Sequence, residues 1–431
     1  MRADSIGNGM CAPRIPREVA ALIAALQLKG GNPEALKELE KSEWESLLRF
    51  SDLAHLTLLL SEVEPVGFPA WVVERLQRNA TDNAARFERV KATYLEAAAA
   101  FDQAGVKYML LKGFTHVPEY VPDARLRMQS DLDFYCPKEM ISRAEAALMS
   151  IGYQPEQTVD YSRADHLPSM MRRGTWLWRG NAFDPDMPLS IELHFCLWNK
   201  DVSWIAVSEV DRFWDRRIRR SLDGLSFPAL NSVDHLGYLA LHILRNLLSG
   251  DWVIHHVHEL ATFLHRHAED DQFWKAWKET HSGSHRALQA IAFFHARAWF
   301  ACDVHPDVEN EIAAMRRVHR KWLEHFVGSS LEGMFRRNKD YVWLHASLVK
   351  PVGQKLTLIR RTIVPSRIST VNTPAVRIRN RQLKESRIEN KYLRYAGYLI
   401  RRAISHTRDV PTLMWRGLIL WFSQCEFRKQ F

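Results

Sequence analysis

Cysteine is scarce in this chain. The five present (Cys11, Cys136, Cys196, Cys302 and Cys425) are far apart in 431 residues and form no CxxC pair. That argues against a cysteine-ligated zinc site or a disulfide framework and fits a reducing compartment. Long apolar runs are missing too: no stretch approaches the roughly 18 apolar residues that cross a bilayer. The first apolar stretch begins only after Pro16 and carries Arg17 and Glu18, so an amphipathic helix is expected there and not a signal peptide. A cytoplasmic protein is the default expectation. No internal repeat is visible, so a repeat architecture is not expected. Positive charge is lacking from the body. Residues 351–431 hold 17 Lys and Arg against 4 Asp and Glu, whereas the first 350 hold 42 against 46. The basicity belongs to the C-terminal tail, and the neutral-to-acidic body weighs against a nucleic-acid track beside a cleft.

What is present is ordinary globular composition, 46% hydrophobic and 25% charged, enough for a sizeable core. Residues 16–104 show apolar positions at three- and four-residue spacing, with Gly105 as the stop of a long Ala-, Arg- and Glu-rich helix. The pattern then changes. Short β-type runs, "VKYMLLKGF", "SDLDFYC", "YQPEQTV" and "LSIELHFCLW", surround a helix, "PKEMISRAEAALMSIG", that Pro137 and Gly152 punctuate. Helical spacing returns from Ser232 to about residue 347. Residues 348–390, with Pro351, Pro365 and Pro374, read as a linker or extended arm, after which helical spacing resumes. The expected fold class is α+β: a small mixed-sheet core over 106–228, a helical region over 1–105, another over 229–347, and a basic tail over 348–431.

Chemistry concentrates in "RMQSDLD". On a strand, Asp131 and Asp133 share one face about 7 Å apart, while Leu132 and Phe134 take the other. Two buried like charges are unfavourable without a cation between them, and oxygen ligands suit Mg²⁺, with Mn²⁺ as an alternative. Glu192 and His194 share a face of a later strand. Glu192 would complete a three-carboxylate cluster able to hold two metals about 4 Å apart for in-line displacement at phosphorus, with His194 a supporting or core histidine. Lys112-Gly113 can form a phosphate-binding turn, and Arg127 can add charge for a triphosphate. The plainer alternative is a pair of solvated strand-end carboxylates bridged to Arg127, with Lys112 snorkelling at a strand end.

Two other segments invite readings. "HHVHELATFLHRH" places His255, His256, His258, His265 and His267 within thirteen residues. Thr262 stands where an HExxH zinc motif needs its second histidine, so an amphipathic helix with histidines on its polar face is expected. His242 and His258 are candidates for the cleft, and Arg172, Arg173, Trp176 and Trp178 for an acceptor side. In the tail, Arg401, Arg402 and Arg416 alternate with Trp- and Leu-rich stretches. That pattern allows a helix packed on the body, a peripheral membrane contact, or, less favoured, nucleic-acid contact.

The ordered set "LLKG", "RMQSDLD", a helix ending in Gly152-Tyr153, and "ELH" resembles the nucleotidyltransferase family still labelled uncharacterised, within the DNA polymerase β-like superfamily, over roughly residues 40–290. The resemblance implies Asp131 and Asp133 as metal ligands and Glu192 as the third carboxylate. Lys112 and Gly113 stand where many members of the superfamily have Gly-Ser. The implied activity is Mg²⁺-dependent transfer of a nucleoside monophosphate from an NTP to an acceptor hydroxyl or phosphate, with pyrophosphate released and the acceptor open. The alternatives are an inactive binding protein on the same fold, or a nucleic-acid binder acting through its tail.

Overall fold

Apolar spacing does produce helices before residue 105. The computed structural model describes residues 15–156, 165–251, 254–335, 338–363, 407 and 410–418. Arg17–Ala25 and Lys41–Ala54 are helical, the latter closed by a capping box between Glu40 and Glu43. Ala70–Gln103 is one helix of 34 residues that begins after Pro69. It ends where Gly105 takes a φ of +62°, a left-handed conformation that costs glycine no Cβ clash.

Seven strands follow: β1 (Met109–Leu111), β2 (Asp131–Tyr135), β3 (Tyr153–Pro155), β4 (Met170–Arg172), β5 (Ser190–His194), β6 (Ile218–Leu222) and β7 (Leu225–Ala229). They form one sheet in the order β3-β4-β5-β2-β1-β7-β6. β2 runs antiparallel to β1 and parallel to β5, and β1 runs parallel to β7. The sheet is thus mixed, as expected. The β6–β7 hairpin was not foreseen; Asp223 and Gly224 turn it with φ of +47° and +78°.

Strand alternation sorts the sheet into two faces. Leu110, Leu132, Phe134, Ile191 and Leu193 pack with Val90, Tyr94 and Phe101 of the long helix and with Ala144 and Leu148 of helix Ile141–Ser150. Met109 and Leu111 point the other way, into a larger core. That core joins the N-terminal helices to helices Ser232–Ser249, Ile254–Arg266 and Gly283–Phe300. The face of β2 that bears the aspartates therefore looks towards helices from the second half of the chain.

Two expectations need correcting. The histidines of helix Ile254–Arg266 are not arrayed on a polar face: His256 and His258 are buried, because Glu259 and neighbouring aromatic rings accommodate them. Within the stretch read as a linker, Val352–Ile363 is a helix, with the carbonyl of Thr362 accepting from Lys339 Nζ at 2.7 Å. Residues 410–418 are helical too, whereas Arg401 and Arg402 lie outside the described residues. Among the described residues no helix is long and apolar enough to cross a membrane.

Candidate functional site

Register assembles the site. Asp133 lies opposite Glu192 on β5 and opposite Leu111 on β1, and Tyr135 lies opposite His194. Facing residues on adjacent strands project to the same side, so Asp131, Asp133, Glu192 and His194 share the face turned from the Phe134 core. Lys112 follows β1 with φ +44° and ψ −160°, a sparsely populated conformation for a side chain with a Cβ, and such outliers cluster at functional sites.

The contacts are close. Asp133 is buried, and its Oδ1 lies 2.9 Å from Lys112 Nζ and 2.8 Å from His194 Nε2. Glu192 Oε1 accepts from Ser169 Oγ at 2.7 Å, while its Oε2 lies 3.8 Å from both His194 Nε2 and His166 Nε2. One ligand atom each from Asp133, Glu192 and His194 lie within 4.8 Å of one another. Asp131 stands on the same face, and no described residue donates a hydrogen bond to its carboxylate. Burial, with Asp133 and Glu192 nearby, pushes the Asp131 carboxyl up to about 7. Burial also works against ionised Asp133, but Lys112 and His194 outweigh it and hold that carboxyl far below its usual range. Lys112 is in turn held protonated: burial opposes its charge, and Asp133 more than compensates.

The turn after β1 is tightly specified. Gly113 has φ +63°, and a Cβ there would sit 2.4 Å from Gln129 Nε2. Gln129 uses that amide to donate to the Asp131 carbonyl at 2.8 Å. From below, Asn83 Nδ2 donates to the Arg125 carbonyl at 2.7 Å, and buried Arg86 Nε donates to the Gln129 carbonyl at 2.9 Å. Asn83 and Arg86 were absent from the sequence expectation. A buried amide and guanidinium at three-residue spacing in an otherwise amphipathic helix were the available signal.

Above the cluster, Tyr238, His242 and Arg245 recur along helix Ser232–Ser249 at spacings that place them on one side. Arg245 is ion-paired with Asp165, whose Oδ2 lies 3.8 Å from His194 Nδ1. Burial would raise the Asp165 carboxyl, yet Arg245 and His194 bring it down to about 2. Burial and the charges of Lys112 and Arg245 push His242 well below the usual histidine range, so it faces the cluster as a neutral ring. Neither Asp165 nor Arg245 belongs to a motif.

Other candidates lie elsewhere. Arg127 turns towards the helical body, where its Nε donates to Glu259 Oε1 at 2.7 Å. His258 lines a separate 30 Å³ cavity with His55, Tyr120, His255 and Glu259. Arg172 shares the face of Met170, the side opposite the carboxylates, because residues two apart on a strand point alike; it pairs with Glu96 and covers the Tyr153 ring. Trp176 donates to Asp184 at 3.0 Å and packs with Phe183, Met187 and Trp178. Arg173 is exposed.

The donor set fits a divalent cation. Two carboxylates and an imidazole already converge, and one ammonium, Lys112, stands against the three carboxylates of Asp131, Asp133 and Glu192. Compared with known proteins, residues 40–301 match the family described as uncharacterised nucleotidyltransferase, a span that contains every residue of this cluster. No curated protein and no solved structure matches the chain. With well over half of its length inside that match, the chain belongs to the uncharacterised nucleotidyltransferase family.

Proposed function

We propose that this protein is a metal-dependent nucleotidyltransferase that moves a nucleoside monophosphate from an NTP, ATP among them, to an acceptor hydroxyl or phosphate and releases pyrophosphate. The observation that carries the proposal is the carboxylate-rich cluster on one sheet face, where atoms of Asp133, Glu192 and His194 converge within 4.8 Å around a negative excess. Asp133 and Glu192, with His194, would hold a divalent cation, Mg²⁺ or Mn²⁺, and Asp131 would join Asp133 around a second. Such cations neutralise the triphosphate and stabilise the departing pyrophosphate.

The protein's own part is positioning. Lys112, whose charge is fixed at the end of β1 beside Asp133, would bind the triphosphate, and Gly113 would let the backbone approach closely there. Arg127 adds longer-range positive potential, since its charge acts on Asp131 even while it is paired with Glu259. The Asp165 carboxylate, 3.8 Å from Nδ1 on the far side of the His194 ring, would favour that ring electrostatically. The helix bearing Tyr238 and His242 restricts water above the carboxylates.

Calorimetry with each of the four NTPs, with and without Mg²⁺, on the wild type and on Asp131→Asn/Asp133→Asn tests this. Binding that needs both the metal and the aspartates is expected, followed by pyrophosphate release once an acceptor is supplied. Binding indifferent to the aspartates, or none in either protein, would overturn it in favour of an inactive binding protein on the same fold, with the nucleic-acid binder acting through its tail as the other alternative.

A further inference from the structure

The C-terminal helix at residues 410–418 is turned the wrong way for a helix that merely packs. Its charged residue faces inward: Arg416 is ion-paired with buried Asp340, and its second terminal nitrogen lies 3.8 Å from Glu332. Leu413 is buried, and its carbonyl accepts from Trp343 Nε1 at 3.1 Å. Gly417 lets the Trp343 ring come so near that a Cβ would sit 2.3 Å from it. Met414, Trp415 and Leu418 face out, Trp415 with 64% of its surface exposed. An ordinary amphipathic helix would do the reverse.

Helix Val352–Ile363, at the same end of the molecule, also turns apolar side chains outward. Lys339 holds its last turn through the Thr362 carbonyl, and the next residue, Asp340, holds Arg416. Val352 and Leu356, four apart, are exposed, and Arg360 follows on the same side. Of 13 large apolar side chains exposed among the described residues, five belong to these two short helices, so the apolar exposure is concentrated and not scattered. The same segment holds the chain's positive charge: residues 351–431 carry 17 Lys and Arg against 4 Asp and Glu, while the body is slightly acidic.

We propose that this end of the molecule docks on the surface of an anionic lipid bilayer, with Trp415, Met414, Leu418, Leu356 and Val352 entering the headgroup boundary, exposed Arg360 and Arg361 meeting lipid phosphates, and the net positive charge of residues 351–431 drawing the protein to the anionic surface. A bilayer satisfies both halves of the observation. Outward Trp and Leu beside basic residues are the composition of an interfacial helix, and tryptophan sits well where one end is apolar and the other wet. Nucleic acid would engage the cations but give no reason for exposed Met414 and Leu418. A second copy would bring two strongly basic tails together. The docking stands independently of the nucleotidyl-transfer reading.

Co-flotation of the full chain with phosphatidylcholine vesicles, with and without about 30% phosphatidylglycerol, tests it. The protein should float with the anionic vesicles only, and less so as salt rises from about 0.1 to about 0.5 M. Trp415→Ala/Leu418→Ala should lower the bound fraction roughly tenfold. Both side chains are solvent-exposed, so circular dichroism and metal-dependent NTP binding should stay unchanged in that variant. Failure to float, equal flotation with neutral vesicles, or flotation unaffected by the double substitution would overturn the docking. So would a salt-sensitive shift with RNA, or a dimer lost in the variant, if either came without flotation.

Discussion

Asp133 and Glu259 are both buried carboxylates that hold a basic side chain within 3 Å, Lys112 at 2.9 Å and Arg127 at 2.7 Å. What separates them is the charge around each pair. Glu259 has two further neighbours, His116 Nδ1 at 3.1 Å and His256 Nδ1 at 3.0 Å. Burial pushes both rings down, His256 to about 4, so they stay neutral and the cluster balances as one carboxylate against one guanidinium. Asp133 shares its face with Asp131 and Glu192, and a single ammonium serves all three. A balanced buried pair is complete and acts as a clamp between the β2 approach and the helical body. An unbalanced one has room for added positive charge, which is what a binding site for cations requires.

The sharpest break of this comparison is a pair of substitutions with crossed outcomes. Asp133→Asn should lower nucleotidyl transfer by on the order of 10³-fold, as expected for losing a ligand that stabilises charge in the transition state. Its cost to stability should be small, since Lys112 keeps Asp131 and Glu192 as nearby counter-charges. Glu259→Ala should do the opposite. It strands Arg127 in a buried site and should destabilise the fold by about 3–5 kcal/mol, while turnover per folded molecule stays at the wild-type level. Denaturant unfolding and pyrophosphate-release assays on both variants decide it. If Glu259→Ala abolished turnover in protein that remained folded, the two clusters would not divide the labour in this way.

Asp131 offers a pH test of the same imbalance. Its carboxyl is raised from 3.8 to about 7. Between about pH 4 and pH 7 the folded protein then binds more protons than the unfolded chain, and stability falls as pH rises through that window. Asp131→Asn removes this loss. At pH 8, without metal, it should stabilise by about 2 kcal/mol, a figure reduced from the full shift for the partial exposure of the side chain; near pH 4 it should have almost no effect. Mg²⁺ should likewise raise the melting temperature of the wild type more at pH 8 than at pH 5. A variant whose stability tracks the wild type at every pH would show that the carboxylates do not burden one another.

How far such a site can be read from sequence depends on which contacts are local. The alternation in "SDLDF" and "SIELH" assigns Asp131, Asp133, Glu192 and His194 to faces correctly, because period two needs no partner. The parallel pairing of β2 with β5, which puts Asp133 opposite Glu192, joins strands nearly sixty residues apart and leaves no local trace. The β6–β7 hairpin did carry a signal, Asp223-Gly224, but "RIRRSL" is too polar to resemble a strand. The inward histidines of helix Ile254–Arg266 and the inward Arg416 share one cause. Each polar group is matched by a carboxylate whose burial comes from tertiary packing: Glu259, three residues along the same helix from His256, is drawn inward by Arg127 and His116 from another segment, and Arg416 meets Asp340. A helical wheel drawn from one segment cannot see such a partner.

Asp165 extends that point, because it sits in a loop, belongs to no motif, and meets Arg245 eighty residues on. Its Oδ2 stands 3.8 Å from His194 Nδ1, while His194 presents Nε2 to Asp133 at 2.8 Å. At 3.8 Å the outer carboxylate makes no hydrogen bond to the ring and acts on it through its charge, so the roughly 10–100-fold in metal affinity typical of hydrogen-bonded outer partners is the upper bound of its effect. Asp165→Asn keeps the shape and removes the charge. It should weaken Mg²⁺ or Mn²⁺ binding roughly tenfold, the smallest effect expected here. Stability should change little, because the freed Arg245 side chain is 37% exposed and can be hydrated. The discriminating readout is metal titration by calorimetry, compared with the same titration of Glu259→Gln. A tenfold loss in Asp165→Asn alone would trace the network outward from His194. Equal affinities would confine the metal site to Asp131, Asp133, Glu192 and His194, with Asp165 serving only to anchor Arg245.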